Sequence, residues 1–501
     1  MKYLVAGLAL LIAAPALGAD LRDQVSGYRA AHEAAIVGQL DELTRLRSVA
    51  ADPKGLAATA TRLEELLKTR GFETQSWSIA GSPPVVYGFL KSPGAKRTAV
   101  FYAHYDGQPV TPSQWTSDPF VPVMRDGLAG RDLDWKTAKP PFNPEWRFFG
   151  RASADDKSSI TAFLAAFDAL KALKRAPSVN IKVVWEGEEE ASSAHLDAIL
   201  KDHAAALGAD VWLIGDGPVH QSRAPTLYFG ARGSLGLEAT VYGPLRALHD
   251  GHYGNWVPNP AVMAAELIAQ LRDSEGRILI PGFADDVRPL NAAEQAAIAR
   301  LPPVENKLKQ EFGIGRSEGS EGLTASTMRP ALNIRGIRSG QVGTEAANAI
   351  PVDAMVSVDF RLVPGQTPER VRAKLESFLK TKGWTVVTDP PDAAMRLAHP
   401  RIIRLSWGGG YPALRSDMTS PAAKGVIAAA EKAAGGPVTL LPMMGASVPI
   451  YLFDDLFHVP VIGLPITNHD NNQHAANENL RLRNLWDAVN LYAAMMAQLN
   501  W

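Results

Sequence analysis

The chain has 501 residues, more than one hydrophobic core usually supports, so two units, one inserted in the other, are the starting expectation. Hydrophobic residues make up 46% and charged residues 21%, and a formal net charge of -1 provides no field that would gather nucleic acid or an anionic membrane. Cysteine is absent, which excludes disulfides, thiolate catalysis and sulfur-ligated metals, so any metal must bind nitrogen and oxygen.

Residues 1–19 carry Lys2, an apolar run from Tyr3 to Ala14 and the small residues Pro15 to Ala19, which read as an export signal. The run is too short to span a bilayer, so a periplasmic or secreted protein, free of the membrane after cleavage, is expected. A helical stretch follows. Arg97 to Ala103 then reads as a buried strand, Val179 to Trp185 alternates at period two, and Ala209 to Gly215 is a third strand. Between them, Ile160, Phe163, Leu164, Phe167 and Leu170 recur at helical spacing, as an α/β sheet requires.

From Ser234 the pattern changes to a strand through Leu235, Leu237, Ala239 and Val241, a helix over Asn259 to Leu271, a strand over Ala354 to Leu362 and a helix over Pro368 to Lys380. Gly408-Gly409-Gly410 reads as the return, with a helix over Pro421 to Ala434 and a strand near Val459 to Leu464 beyond it. Residues 20–233 and 409–501 are thus expected to form one catalytic α/β unit, interrupted by an α+β unit over 234–408. Gly313 to Gly322 reads as a flexible loop.

Each strand of the first unit runs into acidic or histidine residues, and in open α/β sheets ligands collect beyond the carboxyl ends of the strands. His104-Tyr105-Asp106 places a possible ligand two residues from a carboxylate; one can bind a metal while the other orients it. Asp155 and Asp156 open the Ile160 helix, where acidic residues also serve as ordinary caps. Glu186, Glu188, Glu189 and Glu190 crowd one strand end, which calls for compensating cations unless the turn is simply solvated. Adding Asp216 and His474 gives two histidines and three carboxylates, with His104, Asp155 and Glu190, the donor kit of a two-metal site.

The order of AHYDGQP (103–109), GRASADDK (150–157), WEGEEEASS (185–193), GDG (215–217), YFGARGSLGLE (228–238), LHDGHYGN (248–255), GRILIPGF (276–283), RLVPGQTP (361–368) and QHAANE (473–478) resembles the M20 family of metallopeptidases and amidohydrolases, especially its carnosinase-like dipeptidase branch. The resemblance implies a mixed-sheet catalytic domain with an inserted α+β lid or dimerisation domain. It further implies two divalent ions, zinc first with manganese or cobalt as alternatives, and a homodimer. His104 and Asp216 would bind one ion, Glu190 and His474 the other, with Asp155 shared. Asp106 would support His104, and Glu189 would be the general base acting on a metal-bridging water. By the same resemblance Asp155-Asp156 is a cis peptide, and His249 polarises the scissile carbonyl, often in the partner's site. Asn348, Arg361 and Ser447 would contact substrate. Ala152 and Ser158 replace glycines usual in the family, and Ala446 another, which puts substrate preference in doubt.

The substrate expected is a dipeptide or short peptide with a free C-terminal carboxylate, the alternative being an N-acyl amino acid cut by a deacylase. Two rival readings lack support in the sequence. Gly315-Arg316-Ser317-Glu318-Gly319 matches the serine-hydrolase elbow but lacks the flanking strand and apolar helix. A periplasmic binding protein that keeps the fold without catalysis would not need an intact ligand set with Glu189.

Overall fold

The computed structural model describes residues 20–501, so the expected export signal at 1–19 lies outside the described residues. Among those described, no helix is long and apolar enough to cross a membrane.

The first unit is built on an eight-stranded mixed sheet. Its order is Glu73–Trp77, Val85–Leu90, Asn180–Glu186, Thr98–His104, Val211–Ile214, Val461–Gly463, Thr226–Tyr228 and Thr439–Leu441. The four central strands are mutually parallel. Period-two alternation explains the layering: Ala99, Phe101 and Ala103 pack into one buried cluster, and Val100 and Tyr102 into another on the opposite face. Helices Leu21–Arg45, Lys157–Ala172, Pro421–Ala434 and Leu482–Ala497 cover the first face. Each fully buried Leu or Phe in such a layer contributes roughly 1.5–3 kcal/mol.

The second unit has a five-stranded sheet in the order Ala331–Arg338, Asp353–Leu362, Gly233–Tyr242, Ile402–Tyr411 and Thr385–Val387. Leu235, Leu237, Ala239 and Val241 face helices Pro260–Leu271 and Pro368–Thr381 in a core of their own. Asn259 and Thr367 cap those helices through backbone N–H groups of Ala261 and Arg370.

One expectation changes. Gly408-Gly409-Gly410 does not mark the return to the first unit but lies inside strand Ile402–Tyr411 of the second sheet, beside a register shift between Leu235 and Leu237. A Cβ on Gly410 would meet Leu235 Cδ1 at 2.8 Å and the Ser234 carbonyl oxygen at 2.9 Å, so glycine serves close strand approach there. Ser317 lies in an exposed loop between helices Glu305–Phe312 and Leu323–Thr327, without the strand a nucleophile elbow requires.

Candidate metal centre

The parallel strands all end on one edge, and that edge carries the cluster. His104 is the last residue of its strand, Glu189 and Glu190 follow Asn180–Glu186 in a single 3-10 turn, Asp216 lies two residues beyond Ile214, and His474 is on the loop after Val461–Gly463. Gly187 has no room for a side chain, since a Cβ would sit 2.3 Å from the Tyr105 hydroxyl. Asp155 arrives from the small-residue loop before helix Lys157–Ala172, across a cis Asp155-Asp156 peptide.

The five side chains converge into two trios. Ligand atoms of His104, Asp155 and Asp216, and of Asp155, Glu190 and His474, lie within 4.8 Å of one another. His104 Nε2 is 3.0 Å from Asp155 Oδ1, and His474 Nε2 is 3.3 Å from Asp155 Oδ2 and 3.2 Å from Glu190 Oε2. Asp155 thus turns one oxygen to each trio. Two donors about 2.1 Å from one tetrahedral ion are about 3.4 Å apart, so the spacing and the nitrogen–oxygen donor set fit two divalent ions.

The surrounding charges argue for the same need. Burial, then the Asp155 charge, push Glu190 up to about 8 and Asp216 up to about 6. Burial raises Glu189 as well, with His104 opposing and neighbouring carboxylates reinforcing. Burial would also raise Asp155, but hydrogen bonds from His104 and His474 hold it below the usual carboxylate range. Such crowding is relieved by cations.

A second ring of contacts fixes these groups. Asp106 places a carboxylate oxygen 3.3 Å from His104 Nδ1 and accepts the backbone N–H groups of Glu189 at 3.2 Å and Glu190 at 3.0 Å. Gln108 donates to Glu190 Oε2 at 2.7 Å. Glu478, fully buried, accepts from Arg151 and from the N–H groups of Ala152, Ala154 and Asp155. The loop keeps three residues in the left-handed region, Asn472, His474 at φ 61° and Asn477. Gln108 and Glu478 belong to the AHYDGQP and QHAANE segments, but only their partners reveal what they hold.

Arg361 and Ser447 also meet: Nη1 donates to Ser447 Oγ at 2.7 Å, while Nε donates to Asp359 at 2.7 Å. His249 and Asn348 lie elsewhere in the second unit, His249 at the end of strand Leu248–His249 and Asn348 just before its partner strand Ala349–Ile350. The His249 side chain is 57% exposed, and its contacts are local, with Gly251, Asp250 and His252. None of its polar or ring contacts among the described residues reaches the five.

Histidines and carboxylates gathered at the strand ends of a mixed α/β sheet, next to a separate α+β unit, define a metal-dependent hydrolase. The chain belongs to the peptidase family M20/M25/M40, whose model matches residues 100–498. It is similar to the Beta-Ala-His dipeptidase of Homo sapiens, with 26% identity over 485 residues, 92% of this chain and 86% of that protein. It is also similar to the Cys-Gly metallodipeptidase DUG1 of Saccharomyces cerevisiae, 27% identical over 424 residues, 83% of this chain and 82% of that one. A crystal structure of an M20 family metallo-carboxypeptidase from Sulfolobus solfataricus matches with a TM-score of 0.76 at 26% identity, over 93% of this chain and 99% of that one.

Proposed function

We propose that this M20 peptidase is an exported dipeptidase that hydrolyses the amide bond of dipeptides or short peptides ending in a free carboxylate. The observation that carries the reading is the division of the Asp155 oxygens between His104 and His474. His104 and Asp216 would hold one divalent ion and Glu190 and His474 the other, with Asp155 shared. Zinc is favoured, and manganese or cobalt suits the same donors. Bound there, the ions supply Lewis acidity toward the scissile carbonyl and make water a stronger acid.

The protein's own groups do the rest. Glu189, half-buried and rich in neighbouring charge, takes the proton of the attacking water and delivers it to the departing amide nitrogen. Asp106 holds the backbone of Glu189 and the ring of His104 together, so base and ligand keep one geometry. Arg361, propped by Ser447, pairs with the substrate carboxylate.

His249 and Asn348, exposed side by side on the second unit, suit a site completed by a partner subunit, where the imidazole would polarise the carbonyl oxygen. Exposed Trp256 (80%) and Val342 (85%) on that unit fit a homodimer surface. Residues 1–19 support export to the periplasm or outside.

The test is a screen of dipeptides and N-acyl amino acids after chelation and reloading with zinc, manganese or cobalt. Cleavage of free-acid dipeptides is expected. Cleavage of N-acyl amino acids alone would favour the deacylase reading, which uses the same metals and the same Arg361.

A further inference from the structure

The second sheet carries an aromatic residue beside the site that the mechanism above does not use. Tyr411 and Arg361 are both register partners of Ser234, on the strands flanking Gly233–Tyr242. The three residues form one row, so their side chains share a face. With neighbouring strands about 4.8 Å apart, the two outer α-carbons are about 10 Å from each other, a gap that an arginine and a tyrosine can close on a small ligand. The Tyr411 ring lies parallel to that of Tyr451, 5.7 Å between centroids and 9° between planes. Tyr451 opens helix Tyr451–Phe457 of the first unit, so the stack fixes the phenol at the junction of the two units.

Arg361 itself is largely committed. Its Nε is bonded to Asp359 and its Nη1 to Ser447, which leaves Nη2 as the nitrogen without a partner among the described residues. A carboxylate offers two oxygens, and one free guanidinium nitrogen serves only one well. The Tyr411 hydroxyl likewise has no hydrogen-bond partner among the described residues. Burial raises the phenol most, Glu189, Tyr451 and Asp359 raise it further, and Arg361 opposes them. The phenol therefore stays protonated, a donor on the same face of the sheet as Arg361. In a dipeptide, only the amide nitrogen and one α-carbon separate the scissile carbonyl from the terminal carboxylate.

We propose that Tyr411 is a substrate-contacting residue that donates its hydroxyl hydrogen to the terminal carboxylate oxygen that Arg361 leaves unpaired, and so helps select free-acid peptides. This rests on the peptidase reading. The test is calorimetric binding of L-alanyl-L-alanine and of its C-terminal amide to metal-loaded Glu189→Gln protein, with and without Tyr411→Phe. The phenylalanine keeps the ring stack, and metal content and thermal midpoint check the fold. Tyr411→Phe is expected to weaken the free acid by about 10- to 100-fold, as for loss of a hydrogen bond to a charge, and to change the amide less than about twofold. Equal binding of the acid by both proteins, or equal losses for acid and amide, would overturn the assignment. Failure of the parent protein to hydrolyse any dipeptide would count against the peptidase reading, while the binding comparison would still decide the role of Tyr411.

Discussion

The carboxylate of Glu478 accepts the backbone N–H of Asp155 at 3.0 Å, so the carboxylate common to both trios of the candidate metal centre is held from behind by a second buried carboxylate. The same Glu478 is paired with Arg151 at 2.8 Å, with the two side chains 0% and 3% exposed, and takes two further N–H groups of that loop. It folds the segment 151–155 around itself, which decides where Asp155 points. Glu478→Gln keeps an acceptor but removes the charge. It should weaken metal binding by about 10- to 100-fold, as loss of outer contacts to ligands commonly does. A competition titration with a chromogenic chelator would measure it, and unchanged affinity would show that the loop orders itself without Glu478.

Glu189→Gln separates binding from chemistry. The side chain retains its shape but cannot take a proton, so turnover should fall by about 100- to 10,000-fold. Bound metal should stay the same by elemental analysis. Loss of metal along with activity would make Glu189 a ligand instead of a base.

Asp470 gives a pH-dependent term away from the cluster. Burial by itself would raise its carboxyl, but Arg147, Asn468 and Arg481 hold it well below the ordinary range. Arg147 approaches at 2.6 Å and Arg481 at 3.2 Å, with the Asp470 side chain 18% exposed. A depressed folded pKa means that the stabilisation is complete above the unfolded carboxyl value of about 4 and is lost as pH falls toward the folded value. Asp470→Asn should therefore cost roughly 1–2 kcal/mol at pH 7, and the gap to the parent should narrow in urea melts near pH 3. A gap that does not change with pH would contradict the assignment.

Ala152 adopts φ 60°, a left-handed conformation that costs a residue with a Cβ about 1 kcal/mol. Ala152→Gly should stabilise the protein by about 0.5–1 kcal/mol in denaturant melts, provided the metal load is held constant. A fall in stability would mean that the methyl group packs usefully against its neighbours.

Much of the centre was legible because donor residues at the ends of apolar strands are a local signal. His104, Glu190 and Asp216 follow directly from strands whose alternation is plain in the sequence. The convergence of His474 with Asp155 was not local, since they lie far apart in the chain and meet only through parallel pairing and the Glu478 loop. Gln108, Glu478 and Tyr411 were missed as individuals because each is defined by what it touches. The glycines at 408–410 misled for a physical reason: a glycine run is a turn signal by composition, whereas here it lets two strands approach at a register shift. Ser317 shows the reverse, a motif without the strand that would give it meaning.

The most direct measurement is the number of divalent ions bound per chain by the parent protein and by Asp155→Asn, counted after chelation and reloading with zinc. A carboxylate shared between two trios predicts two ions in the parent and loss of at least one from the variant, with hydrolysis of dipeptides falling alongside. Two ions retained at unchanged affinity by Asp155→Asn, or a parent that never binds more than one, would contradict it.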